Sequence, residues 1–322
     1  MMRFAMTFAF GVFLGGALAY AETEDRLRDR CWMWGHETGL VDGTNNIWNL
    51  EPAQSYYHMT EGAKSLGLEN LNVVRWDRPA RAFRDSLAGL KRVTWPISGR
   101  NLVGERKYED VGYDELGDWC FRVADEMPNV TGFDLDDFFV PKKGMVSVRT
   151  PSGTRDCCAT LFPYERLVEL RRRMNAYPRP LELRVVTYDD LFEQCDPETL
   201  RPVLELTDTV TYWTWKAKNI PRMAAMLNRL RQLAPGKRID VGIYLWDFGD
   251  CREMPVEAIR GQLDVACGFL KRGDVHGLVF LCSSICNRRL AAVDYARDWL
   301  ARHGDDRLPE PTGFTDERKA GE

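Results

Sequence analysis

The chain has 322 residues, with 44 Lys and Arg against 48 Asp and Glu, a formal charge of −4. Both signs are spread along the sequence, which argues against the basic stripe of a nucleic-acid binder. The one basic run, Arg171-Arg172-Arg173, falls on a predicted helix and reads as a solvated face.

The N-terminus reads Met1-Met2-Arg3, then an apolar run Phe4–Tyr20, then Ala19-Tyr20-Ala21 before Glu22. A basic start, an apolar stretch and an Ala-x-Ala site predict a signal peptide over 1–21. A transmembrane anchor needs about 20 apolar residues. This run is shorter and is broken by Gly11, Gly15 and Gly16. No later segment is apolar enough to span a bilayer, so no membrane partner is expected after cleavage. The expected location is secreted or periplasmic. Loss of Arg3 with the leader brings the mature charge to −5.

Nine cysteines is a high count for an exported chain. Cys31, Cys120, Cys267 and Cys282 lie in apolar patterns and are expected as buried thiols. Cys157, Cys158, Cys195, Cys251 and Cys286 lie in predicted loops and could pair, with no connectivity legible. None forms a zinc-type Cys-x-x-Cys.

Strand and helix patterns alternate. Cys31–His36 is the first predicted strand, followed by a helix over Glu51–Leu66 with Pro52 in its first turn and Gly67 at its end. Strand Asn72–Trp76, helix Pro79–Leu90, strand Arg92–Ile97 and helix Tyr113–Met127 follow. The fourth strand, Val130–Phe139, carries Asp134, Asp136 and Asp137. The stretch Pro141–Thr160 is too long for a plain connection and is expected as a functional flap. Then come helix Leu161–Asn175, strand Leu181–Tyr188, helix Pro197–Glu205, strand Thr209–Trp215 and helix Ile220–Ala234. Strand Ile239–Trp246, helix Val256–Arg272, strand His276–Cys282 and helix Leu290–Arg302 complete the pattern. A polar tail over 309–322 is expected to be disordered.

Eight strands alternating with eight helices over about 270 residues match a single (β/α)8 TIM barrel spanning 22–308, of class α/β. A doubly wound sheet would carry a glycine-rich turn after its first strand, and Gly-x-Gly-x-x-Gly is absent.

In a barrel of this kind the site is built at the C-terminal ends of the strands. Those ends concentrate acids and aromatics: His36 and Glu37, Trp76 and Asp77, Trp95, Tyr188 and Asp189, Trp213 and Trp215, and Tyr244, Trp246 and Asp247. Aromatic faces stack on sugar rings, while carboxylates bind hydroxyls and transfer protons. These twelve residues are the candidate substrate-binding set. The candidate catalytic set is Asp136 or Asp137 as proton donor, Asp134 as the deeper tuning acid, and Tyr212 or Tyr188 stabilising the reacting group. The chemistry this implies is cleavage of glycosidic bonds in an oligo- or polysaccharide, without a cofactor.

Gly132-Phe133-Asp134-Leu135-Asp136 is similar to the strand-four signature of family 18 chitinase-like hydrolases, Asp-Gly-x-Asp-x-Asp-x-Glu, and Thr211-Tyr212 resembles their Met-Thr-Tyr segment. In that family the final Glu donates the proton and the preceding Asp orients the N-acetyl group. Here Phe138 stands where that Glu is expected. Asp136-Asp137 instead resembles the paired aspartates of family 84 hexosaminidases, which implies substrate-assisted cleavage. The resemblance covers strand four and two residues of strand six, and implies a glycosidase-type barrel without fixing N-acetyl specificity.

Two other readings compete. Phe138 favours a non-catalytic carbohydrate-binding barrel. Glu37, Asp77, Asp134, Asp136 and Asp247 could hold Mg²⁺ or Ca²⁺ in a metal-dependent hydrolase. Only His36 of the four histidines ends a strand, which argues against a zinc hydrolase. No Gly-x-Ser-x-Gly elbow is present for a serine nucleophile.

Overall fold

The computed structural model describes residues 26–36, 39–40, 49–50, 54–55, 57–74, 81–97 and 113–312. Eight strands close a parallel barrel: β1 Cys31–Gly35, β2 Asn70–Val73, β3 Arg92–Pro96, β4 Val130–Leu135, β5 Glu182–Tyr188, β6 Thr209–Trp213, β7 Arg238–Tyr244 and β8 Gly277–Leu281. Each strand pairs with its sequence neighbours, and β1 closes on β8 with Cys31 opposite Leu278. The (β/α)8 barrel expected from the alternation is the observed fold. The strands are buried almost throughout, as strands covered on both faces must be.

The helices in chain order are α1 Met59–Ser65, α2 Arg81–Leu87, α3 Tyr113–Glu126, α4 Tyr164–Asn175, α5 Leu191–Gln194, α6 Arg201–Leu206, α7 Met223–Leu233, α8 Val256–Lys271 and α9 Ala291–His303. The first helix starts later than Pro52 suggested. His58 caps it: its ring accepts from the Thr60 amide, and the Glu61 carboxylate accepts from the His58 amide at 2.7 Å. That reciprocal cap satisfies two amides that otherwise lack partners and sets the start. Gly67, at φ 69°, follows the helix end as expected.

The expected flap over Pro141–Thr160 is an antiparallel hairpin, Met145–Thr150 paired with Gly153–Cys158. The turn closes through Gly153 at φ 119°, with the Thr150 hydroxyl donating to its carbonyl at 2.9 Å. The expected disordered tail is also shortened at its start. The Arg30 guanidinium donates to the Pro309 carbonyl at 2.9 Å, and the Thr312 amide to the Gly273 carbonyl at 3.1 Å, so 309–312 are tied to the barrel. The stretch 1–21, expected as a leader, and residues 313–322 lie outside the described residues.

The barrel interior has two levels, because alternate residues of each strand face inward. Toward the N-terminal ends it is ionic. Arg184 of β5 pairs with Asp240 of β7, with Asp134 of β4 at 3.4 Å and with Glu182 at 3.5 Å. The guanidiniums of Arg92 and Arg184 each sit 4.6 Å from the Trp32 ring. Paired charges and cation–π contacts make this buried ionic level tolerable. Toward the C-terminal ends the interior is aromatic. Trp213 packs against Trp34 at 5.4 Å and Tyr244 at 5.0 Å. Gly242 of β7 makes room for the Trp213 ring, because a Cβ there would stand 1.8 Å from a ring carbon. All cysteines are free thiols. Cys157, Cys158 and Cys286, expected in loops, are buried, and Cys267, expected as buried, is half-exposed.

Candidate functional site

A cavity of about 350 Å³ opens at the C-terminal face, on top of the aromatic level. Its acids are Asp136, Asp137 and Asp190, and its aromatic walls include Trp34, Tyr188, Trp215 and Tyr244. That volume falls in the range of small-ligand pockets.

β4 ends at Leu135, earlier than the apolar run suggested. The chain then turns at Asp136 and Asp137, and Asp137 has φ 45°. Asp adopts the left-handed region more readily than most residues, which suits it to this turn. The turn lifts both carboxyls to the mouth of the cavity and sends Phe138 back into the core. Phe138 is fully buried and packs on Phe162 with ring centroids 4.8 Å apart. A carboxylate at 138 would be buried without a partner there, so the missing Glu follows from the local path of the chain.

The Tyr188 hydroxyl donates to Asp137 Oδ1 at 2.8 Å. Burial and the Asp137 carboxylate push the Tyr188 phenol well above its ordinary range, and do the same to Tyr244. Both phenols are therefore protonated donors at neutral pH. Trp215 stands edge-on to both, with centroids 6.0 Å from Tyr188 and 6.0 Å from Tyr244. His36 also lines the cavity, its backbone locked to the segment after β8 by Ser283, whose Oγ accepts from the His36 amide at 2.8 Å and donates to its carbonyl at 3.0 Å.

Of the residues singled out from the sequence, Asp136, Asp137, His36, Tyr188, Trp215 and Tyr244 are brought together around this cavity. The others are placed elsewhere. Asp134 is 2% exposed, inside the ionic level, where the Thr94 hydroxyl and, at 3.4 Å, the Asn72 amide donate to it. Burial outweighs the Arg184 charge and raises its carboxyl to about 6. Asp134 is thus a member of the barrel's ionic core, set off from the cavity by the strand turn. Tyr212 is fully buried outside the cavity lining, one residue out of phase with the inward-facing Trp213. Trp95 and Trp213 are core residues at 1% exposure each.

Asp189 is a structural acid: it accepts from the Trp215 amide at 2.9 Å and from the Asn219 side chain at 2.7 Å. It thereby holds the loop that presents Trp215. Asp247 is fully buried and accepts from the Ala217 and Asp250 amides at 3.4 and 3.2 Å. Trp246 lies beside it in a two-residue strand pairing, 5% exposed. Glu37, Trp76 and Asp77 lie outside the described residues.

Asp190, Trp34, Phe139, Phe248, Gln194 and Cys282 also line the cavity, although none belongs to the candidate set read from the sequence. Asp190 was legible as the second acid of a pair, but which of the two faces the cavity depends on the turn after Tyr188. Its carboxyl accepts from the Gln194 amide at 2.9 Å, and burial with the Asp189 charge raises its pKa from the ordinary value. Cys282 is a poor nucleophile, since burial pushes its thiol up to about 11. Among the described residues no three His, Cys, Asp or Glu side chains form a group able to hold a metal ion. In particular, Asp134, Asp136 and Asp247 do not form one.

No family model matches the chain, and no curated protein matches its sequence. Among solved structures, the chain is similar to a "putative alpha-L-fucosidase" from Bacteroides thetaiotaomicron, with TM-score 0.51 and 10% identity over 89% of this chain and 99% of that one. It is also similar to active domain 2 of a chitinase from Pyrococcus furiosus, with TM-score 0.49 and 13% identity over 87% of this chain and 97% of that one. A β-glucuronidase from Bifidobacterium dentium is matched with TM-score 0.49 and 10% identity over 86% of this chain. The chain spans 46% of that enzyme's length. The fold these structures share with the chain is the (β/α)8 barrel.

Proposed function

We propose that the chain is an exported glycoside hydrolase that cleaves a glycosidic bond by carboxylate acid/base catalysis in the cavity at the C-terminal face. The observation that supports this reading most strongly is the convergence of Asp136, Asp137 and the Tyr188 hydroxyl on one aromatic-walled cavity. A sugar ring seated there stacks its C–H face on Trp215 or Tyr244, while its hydroxyls reach the carboxylates and phenols. Glycoside cleavage needs a proton donor to the leaving oxygen and a charged or nucleophilic group beside the anomeric carbon. Asp136 and Asp137 supply these two roles from adjacent positions. Tyr188 keeps the Asp137 carboxyl oriented by donating to it. A pair of adjacent acids beside a tyrosine also suits cleavage assisted by the substrate's own acyl group, the chemistry that the family 84 resemblance implies.

Asp136→Asn and Asp137→Asn test the reading. Each is expected to lower kcat by at least about a hundredfold, with the melting temperature little changed because both residues sit at a solvent-open turn. Unchanged kcat in both variants overturns it. Phe138 at the position of the family 18 Glu favours a second reading, a carbohydrate-binding barrel without hydrolysis. That reading requires glycan binding with no bond cleavage by the wild-type protein.

A further inference from the structure

Trp215 stands two positions beyond the end of β6, just before the helical turn Ala217–Arg222. A segment that has left the barrel ladder needs other bonds to fix its position. One carboxylate takes both of its ends. Asp189, just after β5 and 6% exposed, accepts from the Trp215 amide at 2.9 Å and from the Asn219 side chain at 2.7 Å.

The turn after β7 holds the same segment from another side. Trp246–Asp247 pairs with Arg252–Glu253, which folds residues 248–251 into a tight turn. The buried Asp247 carboxylate accepts from the Ala217 amide at 3.4 Å and from the Asp250 amide at 3.2 Å, so one side chain ties this turn to the Trp215 segment. Gly249, within the turn, then lies directly on that segment. A Cβ on residue 249 would stand 2.7 Å from the Trp215 carbonyl oxygen and 3.1 Å from the ring carbon Cδ1, and it would also collide with Lys216 Cγ. The carbonyl is backbone and cannot rotate away without moving the tryptophan. The Gly249 φ lies outside the left-handed region. Contact with Trp215, and not backbone conformation, therefore excludes a side chain here.

We propose that Gly249 and the Asp189–Asn219 hydrogen bond are positioning elements that set substrate affinity through Trp215. The inference rests on the glycosidase reading of the cavity. Neither Gly249 nor Asn219 is among the described residues that line the cavity, whereas Trp215 is. Each therefore acts on a bound sugar by way of the Trp215 ring, which stands 6.0 Å from both Tyr188 and Tyr244. A displaced Trp215 offers a sugar ring a poorer stacking face. Asp136 and Asp137, on the turn after β4, keep their places. The loss then falls on binding common to substrate and transition state, which is read in KM and not in kcat.

The test places Gly249→Ala and Asn219→Ala in the full chain, each with Trp215 intact and with Trp215→Ala, and measures hydrolysis of an aryl glycoside. With Trp215 intact, each variant is expected to raise KM roughly threefold to tenfold, the range of one aromatic contact, with kcat within about twofold. In the Trp215→Ala background neither raises KM further, because the group they position is gone. An unchanged KM with Trp215 intact, or an equal rise in the Trp215→Ala background, overturns the proposal. A second readout does not depend on hydrolysis. In protein labelled with fluorotryptophan, the fluorine NMR signal missing from Trp215→Phe belongs to Trp215. It should move by more than its linewidth in both Gly249→Ala and Asn219→Ala. A signal unmoved in both overturns the positioning role even if the wild type cleaves no glycoside. A moved signal without hydrolysis by the wild type upholds the positioning of Trp215 and contradicts the glycosidase reading instead.

Discussion

Gly242→Ala probes the aromatic level on which the cavity rests. The added Cβ would stand 1.8 Å from Trp213 Cε3 and 2.3 Å from its Cδ2 and Cζ3. These separations are far inside van der Waals contact, and Trp213 is 1% exposed with Trp34 and Tyr244 against it. The ring cannot swing to solvent, so the strain passes to β6, β7 and the two rings above. Overpacking of this kind costs about 1–3 kcal/mol. For a domain of this size that is a fall in Tm of roughly 2–5 °C. Scanning calorimetry on the wild type and the variant measures it. Replacing Trp213 with Leu in the Gly242→Ala background removes the clashing ring carbons. The two substitutions together should then cost less than the sum of each alone. A Tm within 1 °C of wild type for Gly242→Ala would refute the placement of the Trp213 ring over Gly242.

Other expectations concern the ionic level and the site. Arg184→Met leaves Asp134 and Asp240 buried without their guanidinium, and should destabilise by about 3–5 kcal/mol in denaturant titration. Burial lowers the pKa of His276, which lies 3.4 Å from Asp240, with Glu182 and Arg238 also acting on it. A histidine with a lowered folded pKa is protonated first in the unfolded chain, so its effect is a loss of stability as pH falls through about 6.5. Between pH 7.5 and 5.5 the wild type should therefore lose more Tm than His276→Gln does, and equal losses would count against a buried neutral imidazole. Tyr188→Phe deletes the donor to Asp137 and should lower kcat roughly tenfold to a hundredfold with little change in stability. Trp215→Ala should raise KM about tenfold through lost stacking while kcat changes less.

The barrel was legible because each strand is a short apolar run with a turn signal, and each helix carries its own period. Boundaries were less so. Helix α1 begins at a His58–Glu61 cap rather than at Pro52, because side-chain capping settles where a helix starts when propensity leaves several options. The hairpin at 145–158 was hidden because its strands are largely exposed, with Met145 60% and Val146 44% exposed, so no buried face enforces a clear alternation. At the site, Asp136, Asp137, Tyr188, Trp215 and Tyr244 could be found by their place at strand ends. Asp134 could not be told from them by type, since it stands two residues before Asp136, yet the end of β4 between them separates the ionic core from the cavity. Asp189 and Asp190 show the same limit: one orders a loop and the other faces the cavity, according to a turn that composition does not encode.

The most direct measurement is release of the aryl group from a panel of neutral, N-acetylated and acidic aryl glycosides, by the wild-type protein and by the Asp136→Asn, Asp137→Asn double variant. Hydrolysis of at least one glycoside by the wild type, reduced at least about a thousandfold in the folded double variant, is the predicted result. Equal release by both proteins, or no release of any glycoside by a wild type that still binds glycan, would contradict catalysis by the strand-four carboxylates.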